Sequence, residues 1–265
     1  MEYFVWNIDP VLLHIGSLQL RWYSLLFVGA FFIGLLILQK IFQQEHKNPE
    51  ILDTLLVYVM IGTVVGARLM HTLAYQPEYY LNNPLEILYV WKGGLASHGG
   101  LLGVLLALYI FAKRYTLSFN WLVSRIAIPG ALAATMIRIG NFFNSEIVGI
   151  QSNRPWAVIF ERFDTLPRHP VQLYEASVYL LLFFVLLLIY KKVSHSLSTK
   201  IIPGIFLSYV FTTRFFLEYL KTHQADYTTT LPFTTGQILS IPFILLGIGW
   251  ILWSLKNKKT VSNTK

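Results

Sequence analysis

The sequence predicts an all-α polytopic membrane protein of about seven transmembrane helices with a small extracytoplasmic cap that carries short strands, and three observations predict it. First, 55% of the 265 residues are hydrophobic and 13% charged, whereas a soluble domain carries about 25% charged residues. Second, apolar runs of about 20 residues recur from end to end, the length that crosses about 30 Å of hydrocarbon as a helix. Third, the lysines and arginines gather between those runs. Such a chain cannot cover itself with water-compatible surface, and no stretch reads as an independent soluble domain. Residues 1–265 are therefore expected to form one membrane-embedded domain, with 138–170 as its extracytoplasmic segment and cap.

Met1 to Leu20 contains Glu2 and Asp9 and no Lys or Arg. It lacks the basic n-region of a cleaved signal peptide, so the first apolar run, Ser17 to Leu38, is expected to remain as an anchor. The second, Ile51 to Leu73, contains Arg68, which near a helix end can snorkel. It also holds Gly62-Thr63-Val64-Val65-Gly66, a small-residue spacing that lets helices approach closely. Leu95 to Ala112 and Trp121 to Ile137 are shorter, which suffices where the bilayer is thinned. Val171 to Tyr190 follows Pro170, a residue suited to helix starts. Ile201 to Leu220 carries Arg214 inside it, and Gly236 to Leu255 is the last. Between the fourth and fifth runs, Trp156-Ala157-Val158-Ile159-Phe160 lies between Pro155 and Pro167 and predicts a strand in the cap.

The formal charge of +8 does not indicate a nucleic-acid partner, because the cations are not collected on one soluble face. Lys40 and Lys47, Lys113 and Arg114, Lys191, Lys192 and Lys200, then Lys256, Lys258, Lys259 and Lys265 follow alternate spans. With seven spans they share one face, which is cytoplasmic by the positive-inside rule; membrane lipid headgroups are their partners there. The amino terminus is then extracytoplasmic and the carboxy terminus cytoplasmic. The chain has no cysteine, so disulfides, thiolate metal sites and a cysteine nucleophile of its own are excluded.

Ionisable groups inside a bilayer cost about 2.5 to 3.5 kcal/mol each on insertion scales, so each one calls for a partner or a purpose. Arg214 and Glu218 are four apart on one helical face, placed to pair with each other or with groups on facing helices, as functional residues or as a packing ion pair that fixes helix register. Arg138-Ile139-Gly140-Asn141-Phe142-Phe143-Asn144-Ser145-Glu146 up to Gly149 is the most unusual stretch. An apolar helix ends there in an Arg, two Asn and a Glu. A guanidinium fork can hold a phosphate by two parallel bonds, and Asn and Glu supply further donors and acceptors. The alternative is a polar helix cap whose Arg meets lipid phosphate nonspecifically. His98 opens the third span, as a base near neutral pH or as a hydrogen-bonded structural residue. His169, Tyr174 and Glu175 enter the fifth span from the same side, and Tyr23 lies near the outer end of the first, where an aromatic belt would also place it. These clusters converge on the outer half of the membrane.

Ile137 to Gly149 resembles the signature segment of the prolipoprotein diacylglyceryl transferases, in Arg138, Gly140, Asn141, Phe142, Asn144, Glu146 and Gly149. The likeness extends to Trp22-Tyr23, His98-Gly99-Gly100-Leu101, Arg168-His169-Pro170 through Tyr174-Glu175, and Arg214 with Glu218. The family has Gly where this chain has Ile137. The resemblance implies an enzyme of the bacterial cell membrane that moves the diacylglyceryl group of phosphatidylglycerol onto the cysteine thiol of a lipobox in prolipoprotein signal peptides. A thioether forms and glycerol phosphate leaves, with no metal or diffusible cofactor implied, and a monomer is expected. It further implies that Arg138 and Arg214 hold the phosphate and headgroup, that Asn141, Asn144, Glu146 and Gly149 share that site, and that Glu218 orients Arg214. Tyr23 and His98 would line the catalytic cavity, and His169, Tyr174 and Glu175 would serve substrate binding. Two other classes remain open on the residues alone: a transporter with Arg68, Arg214 and Glu218 along a solute path, and a noncatalytic scaffold.

Overall fold

Long apolar runs can satisfy their backbone groups in lipid only as helices or closed barrels, and the described chain is mostly helical. The computed structural model describes residues 2–16, 18–90, 93–94, 96–193, 195–222 and 233–262. Ser17, Leu95 and Lys265, named above as span limits or cytoplasmic cations, lie outside these residues, as does the side chain of His98. The chain folds as two compact units, Met1–Ile37 with Ser124–Lys265, and Leu38–Val123.

In the first unit, β1 (Phe4–Trp6) precedes a hairpin of β2 (Val11–Ile15) and β3 (Leu18–Arg21), and α1 (Trp22–Gln44) begins only then. The start of the first long helix is therefore at Trp22, later than expected. Residues 11–21 alternate Leu with His14, Gln19 and Arg21, a period that suits a half-exposed ribbon better than a lipid-facing helix. The strand expected in the cap is present as β4 (Val158–Phe160), which pairs parallel with β1 and antiparallel with β5 (Pro167–Arg168). Under this sheet Phe142, Val148, Val158 and Phe160 form a buried cluster against which Trp6 and Leu173 pack. The amino-terminal strand thereby ties itself to the end of α5 (Phe119–Phe143) and the start of α6 (Val171–Lys192). Helices α7 (His195–Leu217) and α8 (Thr235–Ser262) pack through small residues. A Cβ on Gly204 would lie 2.9 Å from the Gly247 carbonyl oxygen, and Phe211 stacks on Phe243 at 4.3 Å.

The second unit is organised by α2 (Ile51–Met70) and α4 (Ser97–Arg114), with a π-type turn at 71–75 and the short α3 (Pro77–Asn82) between them. The Gly62/Gly66 spacing does what it predicts. A Cβ on Gly62 would be 2.6 Å from the Gly103 carbonyl oxygen, and Gly66 and Gly99 face each other backbone to backbone. Arg68 does not snorkel. It is buried and donates to the carbonyls of Glu86, Ile87, Gly93 and Gly94, with Tyr80 stacked 5.0 Å from its guanidinium. Its charge is spent on folding the loop that leads to α4.

Among the described residues, six helices are long and apolar enough to cross a membrane. The remaining expected span, α4, has 18 residues, about 27 Å of helix, with polar ends at Ser97-His98 and Lys113-Arg114. The chain is a multi-pass membrane protein. Three helix ends share one termination. At the ends of α1, α4 and α5, His46, Thr116 and Ser145 adopt φ of 53°, 55° and 54°. The next residue's N–H then donates five residues back, Lys47 to Phe42, Leu117 to Ala112 and Glu146 to Asn141. This is the Schellman arrangement with a non-glycine residue in the left-handed position.

Candidate active site

The expected end of the fourth span at Ile137 is moved by two turns, because α5 continues to Phe143. Arg138, Gly140 and Asn141 thus sit on the last turns of a helix and not beyond it. The Schellman turn then reverses the chain, and Ile147 also takes a left-handed φ of 57°, a genuine outlier for a β-branched side chain. Such strain costs of order 1–3 kcal/mol and persists where the surroundings over-determine it. Here Gln172 on α6 donates to the Glu146 carbonyl at 2.6 Å, and Val148 is buried in the sheet core. The strained turn carries Glu146 back over the helix it has just left. Its carboxylate accepts from Asn141 Nδ2 and Asn144 Nδ2, each at 3.1 Å.

Tyr23 reaches the same turns of α5. A Cβ on Gly140 would lie 2.7 Å from Tyr23 Cδ2, so the absence of a side chain at 140 lets the phenol ring lie flat on the helix, within electrostatic reach of Glu146 and Arg138. Its neighbour Trp22 stacks on Phe143 at 5.0 Å. The pair belongs to the site wall as well as to the interface.

A chain of charges is centred on the buried carboxylate of Glu175. Arg138 Nε meets Glu175 Oε2 at 3.1 Å, Lys221 Nζ meets Glu175 Oε1 at 2.9 Å, and Lys221 Nζ meets Glu218 Oε2 at 3.3 Å. Glu175 is fully buried, one turn inside α6 as the Pro170 start predicts, and Pro170 is the residue that caps that helix. Arg138 also donates toward Asn141 Oδ1 at 3.4 Å, and the hydroxyl of Tyr179, one turn beyond Glu175, lies within electrostatic reach of both Arg138 and Arg214.

The expected Arg214–Glu218 pairing is not formed. α7 ends at Leu217 and the chain tightens into a 3₁₀ turn at Glu218–Leu220. In a 3₁₀ turn residues three apart eclipse, so Glu218 meets Lys221 instead. Among the described residues Arg214 has no carboxylate partner. Lys221, Tyr179 and Gln172 were not singled out from sequence. Lys221 left a signal: a cation three residues after Glu218, just past the helix that carries Arg214.

The outer rim is set by Gly149. Its N–H donates to the His169 carbonyl and it bridges to Lys221, and any Cβ would be 2.5 Å from that same His169 oxygen. His169 Nδ1 lies 3.1 Å from the Tyr174 hydroxyl, which also accepts from Trp156 Nε1 at 2.8 Å. Burial first, and the Arg154 charge second, push the His169 pKa down, so it is neutral near pH 7. Arg168 is held by Asp164 and donates to the Gly149 carbonyl at 3.1 Å; that hydrogen bond from Arg168 holds the Asp164 carboxyl below its ordinary range. His98 lies in α4 of the other unit.

Arg138, Asn141, Asn144 and Glu146 thus form one hydrogen-bonded cluster with the Tyr23 ring against Gly140, and Arg138 and Arg214 both act on Tyr179; guanidinium and amide groups of this kind can hold an anion. The sequence model described as prolipoprotein diacylglyceryl transferase matches residues 10–253. A protein of Tolumonas auensis named phosphatidylglycerol–prolipoprotein diacylglyceryl transferase is 50% identical over 254 residues, covering 96% of this chain and 98% of its own. Proteins of the same name from Chloroherpeton thalassium and Porphyromonas gingivalis are 46% and 39% identical, each alignment covering 96% or more of both chains. The chain therefore belongs to the prolipoprotein diacylglyceryl transferase family.

Proposed function

We propose that this enzyme transfers the diacylglyceryl group of phosphatidylglycerol to the lipobox cysteine of prolipoprotein signal peptides, the first step of lipoprotein maturation. The observation that carries the site assignment is the split between the two guanidiniums. Arg138 is anchored by buried Glu175, whereas Arg214 has no carboxylate partner among the described residues. One arginine is preorganised and the other is left to meet an incoming phosphate.

In the reaction the cysteine thiolate attacks the glycerol carbon that bears the phosphate. A C–S bond forms, the C–O bond to phosphate breaks, and glycerol phosphate leaves with the electron pair. Arg138 and Arg214 stabilise the charge growing on the leaving oxygen, in a site where little water competes. The thiol proton goes to a base. A free thiol has a pKa near 8.5, so the base and the cations raise the thiolate fraction at neutral pH. His98 is that base, and Tyr23 lines the cavity. Glu146, Asn141 and Asn144 bind the polar head, Gly149 lets the segment pack tightly on His169, and His169, Tyr174 and Glu175 complete the substrate-binding wall. Glu218 acts in the same site.

The cation distribution supports a cytoplasmic carboxy terminus, an extracytoplasmic amino terminus and a site opening on the extracytoplasmic side of the bacterial cell membrane, worked by a monomer. Purified protein incubated with phosphatidylglycerol and a lipobox peptide is expected to yield a diacylglyceryl thioether, and a Cys→Ser peptide none. No product from a folded preparation would sink the reading, and solute flux in proteoliposomes would favour a transporter. If His98→Ala kept full turnover while Arg138→Ala lost it, the base assignment would fail and the electrostatic part would stand.

A further inference from the structure

Lys221 is a cation with a largely covered side chain, and its position is over-determined. Its backbone bridges to Gly149, flanked by Ile150 N–H donating to the Leu220 carbonyl at 2.8 Å and Thr222 N–H donating to the Val148 carbonyl at 3.2 Å. The end of the signature segment and the exit of α7 are therefore laced together at this residue. Its ammonium, 8% exposed, lies between Glu175 and Glu218. Glu218 in turn lies against the amino-terminal end of α8, where a Cβ on Gly236 would be 2.5 Å from its Oε1. The partial positive charge of a helix start favours a carboxylate there.

Charge counting shows what this arrangement does. Two cations, Arg138 and Lys221, alternate with two carboxylates, Glu175 and Glu218, so the chain of four is neutral. Without the ammonium, Glu175 would retain Arg138 but Glu218 would lose its cation. The nearest cation in sequence is then Arg214, four residues back in the last turn of α7, and an uncompensated carboxylate at that distance along the chain draws its guanidinium.

We infer that Lys221 is a positioning residue for the transfer reaction: by occupying Glu218 it keeps the Arg214 guanidinium free for the substrate phosphate, and by bridging to Glu175 it fixes the anchor of Arg138. The inference rests on the phosphatidylglycerol reading above. It touches no reacting atom itself and acts through two arginines.

The test uses the full-length enzyme in detergent or nanodiscs and exploits the absence of cysteine from the chain, which makes Lys221→Cys the only thiol. Lys221→Cys is expected to raise KM for phosphatidylglycerol at least about tenfold while leaving KM for the peptide within about threefold. Modification with an aminoethyl methanethiosulfonate, verified by mass, restores the ammonium and lowers KM again; the neutral methyl reagent does not. Equal loss for both substrates, or equal recovery with both reagents, overturns the inference, as does a variant indistinguishable from wild type. Lys221→Arg keeps the charge and is expected to fold and hold KM within about threefold; a tenfold rise there overturns the inference even if Lys221→Cys does not fold. Wild-type enzyme in the same assay separates the two readings, since loss of thioether product there strikes the transferase proposal and not Lys221.

Discussion

Replacing Glu175 by glutamine keeps the side-chain volume and removes one buried charge from between two cations. Each of its contacts, at 3.1 Å to Arg138 and 2.9 Å to Lys221, has a Coulomb energy of about 5 kcal/mol at an effective dielectric of about 20. Desolvation of the three ions offsets most of that sum. The net cost of deleting one member of a buried pair is about 3–5 kcal/mol, because the partner charge stays buried. A glutamine can still accept one N–H through its carbonyl oxygen, but its amide then faces the other cation with donors. The expected loss is thus near the lower bound, about 3 kcal/mol. At about 1.4 kcal/mol per factor of ten, even half of that loss expressed in the orientation of Arg138 lowers kcat/KM for phosphatidylglycerol about tenfold. The assays are thioether formation at limiting lipid and an unfolding midpoint in the same detergent. Glu175→Gln with kcat/KM within threefold of wild type and an unchanged midpoint would refute the view that this network holds Arg138.

Gly140→Ala places a methyl 2.7 Å from the Tyr23 ring and should displace that ring, reducing transfer while costing only about 1–3 kcal/mol as an overpacking change; an alanine variant of full activity would remove Tyr23 from the site. Gly62→Leu drives a side chain into the Gly103 backbone and should lower the thermal midpoint by separating α2 from α4, an effect that protease sensitivity of the 51–114 region would report. For His169 the folded-state pKa is depressed, so the unfolded chain binds the proton more readily and stability falls as pH drops through about 6.5. Arg154→Gln should raise the His169 titration, followed by imidazole NMR, and no change would dismiss the Arg154 contribution. Asp164 works in the opposite window: its depressed pKa contributes stability above about pH 4 that is lost as pH falls through the folded value, so the deficit of Asp164→Asn should be present at neutral pH and vanish in acid.

Whatever depends on local composition, with lipid as the solvent, was legible in the order of residues alone. Apolar runs of spanning length become helices because their backbone has no other partner in hydrocarbon; Gly62 and Gly66 mark a close helix contact because only glycine permits it; and Arg138, Asn141 and Glu146 stand out because polar groups are expensive there. The strand at Val158–Phe160 was legible for the same local reason. The amino-terminal strand and hairpin were not, because β1 exists only by pairing with β4, more than 150 residues away in the chain. Nor was the fate of the charges. Arg68 looked free to snorkel and was captured by four carbonyls, and Arg214 and Glu218 looked paired at helical spacing until a 3₁₀ turn gave Glu218 to Lys221. Spacing tells which charges share a helix face, but the partner that a buried charge takes is decided by which chain segments the tertiary fold brings within about 3 Å, since desolvation leaves no charge indifferent to its neighbours.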